Sequence, residues 1–288
     1  MSSLRGRLLN AGLRAAGFQH TLARDLARGR VQAHAPGAGL RVGRAWAERE
    51  VDGRTVHRFG PRERPGSLAR SDVTYLHLHG GGFVTGLLRV HLRALVQLAD
   101  LSGASVLAPD YPLPPGSDAA GILAFCDRVL EDALRDGPVV LGGDSAGGTL
   151  AILLAAARAR EGRPLPRRLV LWSPLCDLRV NAGGYDGWDG VIEPDGVRAG
   201  AARFAGTAGD AVNPALVPLE GLPPTTVFAG TRDPLYPDIA AWIARAREAG
   251  VDVQAHAEPG LGHYWMFLPQ PEAARTLRQV ADAVTSTP

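Results

Sequence analysis

Lysine is absent from all 288 residues, so each of the 31 basic residues is Arg. This excludes chemistries that need a lysine amine: Schiff-base catalysis, a lysine general base and the P-loop of nucleotide-binding enzymes. Cysteine is almost as scarce. Cys126 and Cys176 stand far apart, with neither metal-site spacing nor the pattern of a disulfide framework. Both read as free thiols, which suits a reducing cytoplasm. No apolar stretch approaches the roughly 18 residues of a membrane span. The longest covers residues 150–157, enough for one short helix. The first 30 residues lack the unbroken apolar segment of a secretory leader, although their Arg content and the absence of acids before Asp25 leave an organellar transit peptide open. H-E-x-x-H, C-x-x-C and G-x-G-x-x-G are also missing, so neither a metal nor a nucleotide cofactor is called for.

What is present suits a self-folding chain, with 45% apolar and 21% charged residues. The length allows one large α/β domain or two smaller ones. Charge is uneven: residues 1–70 carry 14 Arg against 5 acids, and residues 71–288 carry 17 against 24. The Arg are scattered and lack an aromatic platform, so a solvated face is expected and no nucleic-acid partner. Leu4, Leu8, Leu9, Phe18, Leu22 and Leu26 recur at helical spacing over residues 4–28, which predicts an amphipathic packing or lid helix. Strand-like runs at 41–51 and 55–59 follow, and then a polar loop at 61–70. Beyond it the chain alternates. Strands are predicted at 73–79, 104–109, 138–143, 168–172, 225–230 and 251–256, with helices at 87–101, 118–134, 146–160, 237–249 and 271–284. Such alternation predicts an α/β fold with a mostly parallel, doubly wound sheet covered on both faces. Residues 174–213, rich in Gly and Asp, interrupt it and read as an inserted cap. Asp186, Asp189 and Glu193 within that segment lack calcium-loop spacing and read as a solvated loop.

Gly143-Asp144-Ser145-Ala146-Gly147 fits G-x-S-x-G and lies between a predicted strand and an apolar helix. That strand–turn–helix setting presents a serine hydroxyl above the sheet at a helix N-terminus. A hydroxyl is a weak nucleophile, so a base must take its proton and a third group must hold the base. His263, in Gly260-Leu261-Gly262-His263, follows the last strand and is the candidate base. His20, His34, His57 and His91 read as surface positions, and His256 as part of a strand. Asp233, in a loop after the strand 225–230, is the candidate orienting acid, with Asp238 and Glu258 as runners-up; Asp238 alternatively caps a helix. The chain order Ser145, Asp233, His263 is the α/β-hydrolase order. Attack on a carbonyl also creates an oxyanion that needs fixed N–H donors. His79-Gly80-Gly81-Gly82-Phe83 ends a strand, and the backbone N–H groups of Gly81, Gly82 and Ala146 are the candidate donors. His79 anchors that turn by hydrogen bonds.

This set of motifs, His79-Gly-Gly-Gly, Gly143-Asp-Ser-Ala-Gly, Asp233-Pro-Leu and Gly262-His263, resembles the bacterial hormone-sensitive-lipase-like family of α/β-hydrolase carboxylesterases. The resemblance spans about residues 71–270 and extends to Asp110-Tyr111 and Leu222-Pro223-Pro224. It implies an α/β-hydrolase fold carrying a serine carboxylesterase for short or medium acyl chains. It also implies a cap of N-terminal helices, residues 1–40, on a catalytic domain, 41–288, with its insertion at 174–213. Family members commonly continue Asp-Tyr with Arg-Leu-Ala-Pro-Glu; here Pro112-Leu113-Pro114-Pro115-Gly116 follows, without that Arg and Glu. Phe83, Tyr111, Trp188 and Tyr264 are candidate substrate-binding residues, near motif ends or in the insertion. The expected partner is a small-molecule ester, with no membrane span and with a homo-oligomer left open. The same residues would serve a lactonase, an amidase or an acyltransferase. The fold also carries non-catalytic ligand-binding proteins that lack the catalytic His, whereas His263 is present here.

Overall fold

The structure is a computed structural model that describes residues 3–28, 38–41, 43–62 and 72–286. Two helices open it, α1 (Leu4–Ala15) and α2 (Phe18–Arg28), followed after residues 29–37 by the single turn α3 (Ala38–Arg41). The one helix expected over 4–28 is thus two. Gly17, in the left-handed region at φ 64°, ends α1 and turns the chain into α2. Nor does the Leu stripe of α1 face a core: Leu4 and Leu8 are 65% and 63% exposed. The buried positions of α1 are Gly6 and Asn10. His34, and most of the polar loop expected at 61–70, lie outside the described residues.

The alternating part runs β1 (Arg44–Val51), β2 (Arg54–Arg62), β3 (Thr74–Leu78), α4 (Arg89–Ser102), β4 (Ser105–Pro109), α5 (Ala119–Asp136), β5 (Val139–Asp144), α6 (Ala146–Arg160) and β6 (Arg168–Trp172). It continues with α7 (Pro194–Ala205), β7 (Thr225–Gly230), α8 (Tyr236–Glu248), β8 (Val253–Glu258) and α9 (Pro271–Thr285). The eight strands form one sheet in the order β1-β2-β4-β3-β5-β6-β7-β8. The β1–β2 and β2–β4 pairs are antiparallel; the other pairs are parallel. This is the mostly parallel sheet with helices on both faces that the alternation predicts. Among the described residues no helix is long and apolar enough to cross a membrane.

Helix α6 is apolar all round because it is buried all round: 12 of its 15 residues are buried. Its one deeply buried charge, Arg158, is matched by the carboxylates of Asp127 and Glu131 on α5, at 2.6 and 2.5 Å. The start of α6 passes so close to the sheet that glycine is obligatory there. A Cβ on Gly147 would lie 1.9 Å from the Leu78 carbonyl oxygen, and one on Gly143 would lie 2.5 Å from the backbone of Gly147.

The 174–213 segment leaves the sheet after β6 and carries α7, a helix that its Gly-rich sequence did not announce. Its stem is closed by polar contacts. The Asn213 amide donates to Asp177 at 2.9 Å and its oxygen accepts the Leu178 N–H at 3.1 Å. Asp238 accepts the Asn181 N–H at 2.8 Å, so this runner-up carboxylate braces the segment. Helix α2 packs on α7, where Gly196 leaves no room for a Cβ against Ala23. Helix α7 in turn lies on the turn after β3, because a Cβ on Gly200 would sit 2.1 Å from the Gly82 carbonyl oxygen.

These contacts separate two classes of glycine. Gly147→Ala is expected to destabilise the fold by about 1–3 kcal/mol through overpacking. Gly12→Ala, in α1 with nothing within 4 Å of the new Cβ, is expected to be neutral or to stabilise by up to about 1 kcal/mol. Thermal or denaturant unfolding of the two variants checks the contrast.

Candidate active site

The site forms at the carboxyl ends of β3, β5, β7 and β8, where the parallel strands point their following loops to one edge. β5 delivers Ser145, which stands at φ 50° and ψ −117° immediately before α6. A non-glycine residue in that region is strained by roughly 1–3 kcal/mol, so the surrounding structure must hold it. It does so through the backbone: the Ser145 N–H donates to Trp172 at 3.0 Å, and its carbonyl accepts the Leu175 N–H at 2.9 Å. The strain therefore sits on the serine itself, while the flanking glycines are there for clearance.

Beneath Ser145 lies a buried polar cluster. Asp144 accepts the Gly80 N–H and faces His77 Nε2, both at 2.9 Å, and His91 lies 3.6 Å from its second oxygen. Burial works against the Asp144 charge, but His91 and His77 outweigh it and hold the carboxyl well below the usual carboxylate range. His91, expected at the surface, is fully buried here. His57 is buried as well, against Glu48.

The turn after β3 is held on three sides. His79 Nδ1 lies 2.7 Å from the Gly80 carbonyl, the Tyr111 hydroxyl donates to the His79 carbonyl at 2.6 Å, and the Tyr111 ring stacks on the His79 ring at 4.0 Å. Burial first, then the neighbouring His91, push the His79 pKa down to about 4. A neutral ring with its proton on Nδ1 therefore donates to Gly80. Gly81 and Gly82 follow at φ 115° and 60°, conformations that glycine adopts freely. Arg54 of β2 grips the chain at Asp110-Tyr111, donating to Asp110 Oδ2 at 3.1 Å and to the Asp110 carbonyl at 2.8 Å.

Asp233 and His263 are brought together, with His263 Nδ1 2.8 Å from Asp233 Oδ2 and both side chains buried. Asp233 Oδ1 accepts the Leu235 N–H at 2.8 Å, so the carboxylate is held from both sides. Burial disfavours a charged His263, but the charge and hydrogen bond of Asp233, assisted by Asp189 and Asp144, overcome this and raise its pKa above 6.5. Glu258, the other runner-up, faces Arg275 instead, at 2.5 Å.

A cavity of about 170 Å³ is lined by Ser145 together with Gly81, Gly82 and Tyr264. Val191 and Ile192 of the 174–213 segment form one wall, and Leu13 and Phe18 of the N-terminal helices contribute to the lining. Tyr264 is thus the one of the four proposed substrate-contacting rings that faces this space. The other three are engaged elsewhere. Phe83 is buried and stacks on Phe204 at 4.1 Å, Tyr111 lies behind the His79 turn, and Trp188 lies under the Arg232 guanidinium at 4.4 Å. The solvated-loop reading of 186–193 also needs correction. Asp186 is exposed, whereas Asp189 is 1% exposed and accepts the backbone N–H of His263. A lone Asn in a helix, Asn10, and an Asp in a Gly-rich loop, Asp189, carry no local signal of burial.

The sequence pattern of the alpha/beta hydrolase fold matches residues 75–267. The chain is 33% identical over 232 residues to an acetyl-hydrolase of Streptomyces hygroscopicus, covering 76% of this chain and 77% of that one. It is 29% identical over 235 residues to an esterase of Acinetobacter venetianus, with 76% and 77% covered. Among solved structures, an esterase of the bacterial hormone-sensitive lipase family superposes with a TM-score of 0.77 at 26% identity, covering 93% of this chain and 97% of that one. A hormone-sensitive lipase from a metagenome library superposes at 0.80 with 23% identity, covering 98% and 97%, a likeness of fold.

The two environments predict opposite titrations. In an NMR pH titration of the imidazoles, the His263 midpoint is expected above 6.5, while His79 stays neutral down to about pH 4.

Proposed function

The chain belongs to the α/β-hydrolase fold family, in its hormone-sensitive-lipase-like branch of esterases, and from that premise we propose that it is a serine carboxylesterase acting through Ser145, His263 and Asp233. The observation that carries this reading is the strained backbone of Ser145, in the lining of an apolar cavity shared with Gly81 and Gly82. Strain of this kind persists where function needs a side chain held clear of its own helix.

In the proposed reaction, His263 Nε2 takes the Ser145 proton as the hydroxyl oxygen attacks the ester carbonyl. Asp233 keeps the other ring proton on Nδ1 and stabilises the imidazolium that forms. The developing oxyanion is met by the N–H groups of Gly81, Gly82 and Ala146, the last at the positive end of α6. The imidazolium then protonates the leaving alcohol. Water activated by His263 cleaves the acyl-enzyme and restores Ser145.

The N-terminal helices up to residue 40 and the 174–213 insertion act together as the cap of a catalytic body at 41–288, a reading supported by the packing of α2 on α7 and of α7 on the Gly82 turn. The acyl group occupies the cavity. Its volume is close to the ~150 Å³ of an apolar site that holds benzene, which favours acyl chains of about six carbons or fewer. Phe83, Tyr111 and Trp188 act behind the lining, and Tyr264 within it. The buried, unpaired thiols of Cys126 and Cys176 suit a cytoplasmic location.

Hydrolysis of p-nitrophenyl esters from acetate to palmitate tests this reading. Wild type is expected to turn over acetate and butyrate and to leave palmitate nearly untouched. A folded Ser145→Ala variant is expected to lose roughly 10³-fold or more in kcat/KM; equal rates in the two proteins would overturn the proposal. Because neutral His263 is the base, activity is lost as pH falls through its raised pKa. Asp233→Asn is expected to lower kcat and to move that acidic limb to lower pH.

A further inference from the structure

Asp189 is a carboxylate with no role in the reaction described above, yet it is almost fully buried. Three backbone N–H groups converge on it: His263 on Oδ2 at 2.5 Å, and Val191 and Ile192 on Oδ1 at 2.7 and 3.1 Å. Gly262 makes this approach feasible, since a Cβ there would fall 2.3 Å from Asp189 Oδ2. The loop carrying Asp189 is itself tied down. Its own N–H donates to the Tyr185 hydroxyl at 2.8 Å. On either side of it, the Asn10 side chain of α1 donates to the Trp188 carbonyl at 2.6 Å and accepts the Gly190 N–H at 2.8 Å.

Burying a carboxylate that is met only by amides is expensive, and here a second carboxylate, Asp233, lies close by. Burial and that like charge push the Asp189 pKa up. An apolar residue would avoid the cost if packing alone were needed. What distinguishes the position is that His263 becomes positively charged during turnover. A fixed negative charge beside it costs free energy in the resting protein and returns it when the imidazolium forms, which is how differential stabilisation lowers a barrier.

We propose that Asp189 is a positioning residue: its carboxylate fixes the backbone of His263 and joins it to Val191 and Ile192, so that the acyl-cavity wall and the base move as one unit. Asn10 extends the unit to α1. This inference rests on the reading of His263 as the general base. It assigns to the 174–213 segment a part in setting the reactivity of the base as well as in shaping the pocket.

The test is steady-state kinetics on p-nitrophenyl butyrate across pH for wild type, Asp189→Asn, Asp189→Ala and Gly262→Ala, with Ser145→Ala as the blank. The groups facing His263 and Asp189 are Asp233 from the loop after β7, Asp144 at the end of β5, and Tyr185 and Tyr264; Asp186 and Arg232 pair at the rim. All of these remain in the Asp189 variants, so a change in the acidic limb reports the Asp189 charge. Asp189→Asn is expected to lower kcat by roughly 10- to 100-fold with a smaller change in KM, as for a slightly misplaced catalytic group. The acidic limb should also move to lower pH. Asp189→Ala is expected to be worse, with Asn a partial rescue. Gly262→Ala, which displaces the carboxylate without altering it, should lower kcat in the same way and keeps the question decidable if the Asp189 variants fail to fold. Folded Asp189→Asn with the kcat and acidic limb of wild type would overturn the inference while leaving the triad intact. Activity in wild type that survives in Ser145→Ala would instead overturn the triad, and this inference with it.

Discussion

Every part of the site is referred to the turn from β5 into α6. The backbone there approaches β3 so closely that no side chain fits at Gly143 or Gly147, and Ser145 is forced to a positive φ. The turn is affordable because it sits in the middle of the sheet, with β3 on one side and β6 on the other. The cooperative stability of the whole parallel sheet holds one strained residue in place. A turn of this kind at a sheet edge or in a free peptide would relax.

Asp144 carries that geometry sideways. Its carboxylate reaches the Gly80 N–H and His77 on β3, so the strand that leads into Ser145 also fixes the turn that carries Gly81 and Gly82. Tyr111, from the loop after β4, fixes the same turn from behind. The relative position of Ser145 and the Gly81–Gly82 backbone is therefore set by buried hydrogen bonds between neighbouring strands rather than by flexible loops. Such groups are costly when unpaired and stiff when paired, which is the property a preorganised site requires.

The 174–213 segment stands in a different relation to the sheet. It contributes cavity wall through Val191 and Ile192, backbone packing through Gly200, and a carboxylate to the His263 loop through Asp189. The N-terminal helices reach the site both directly, through Leu13 and Phe18 in the cavity lining, and through this segment, with α2 on α7 and Asn10 on the loop at 188–190. Helix α1 leaves Leu4 and Leu8 in solvent and is attached through Leu13, which packs against the core, and through the polar contacts of Asn10.

Much of this was legible in the sequence because it is written in local patterns. Strand–helix alternation, the glycines around Ser145 and beside His79, and the loops bearing Asp233 and His263 after predicted strands all depend on neighbours a few residues apart. Strands β6 and β7 and helix α6 begin and end where the pattern predicts. The strand-like runs at 41–51 and 55–59 predict two strands, but nothing in them predicts the antiparallel place of the hairpin at one edge. Helix α7 was missed because glycines dilute its apolar period.

What the sequence by itself determined is the order of elements and the identity of the residues delivered to one edge of the sheet, since backbone sterics and hydrophobic periodicity act over short distances. Only the tertiary structure decided which polar side chains are buried and what they touch. His91 under Ser145, Tyr111 behind His79, and Asp189 on the amide of His263 each join segments far apart in the chain. Burial of a polar group is a property of what surrounds it in space, and one sequence read locally carries no record of that.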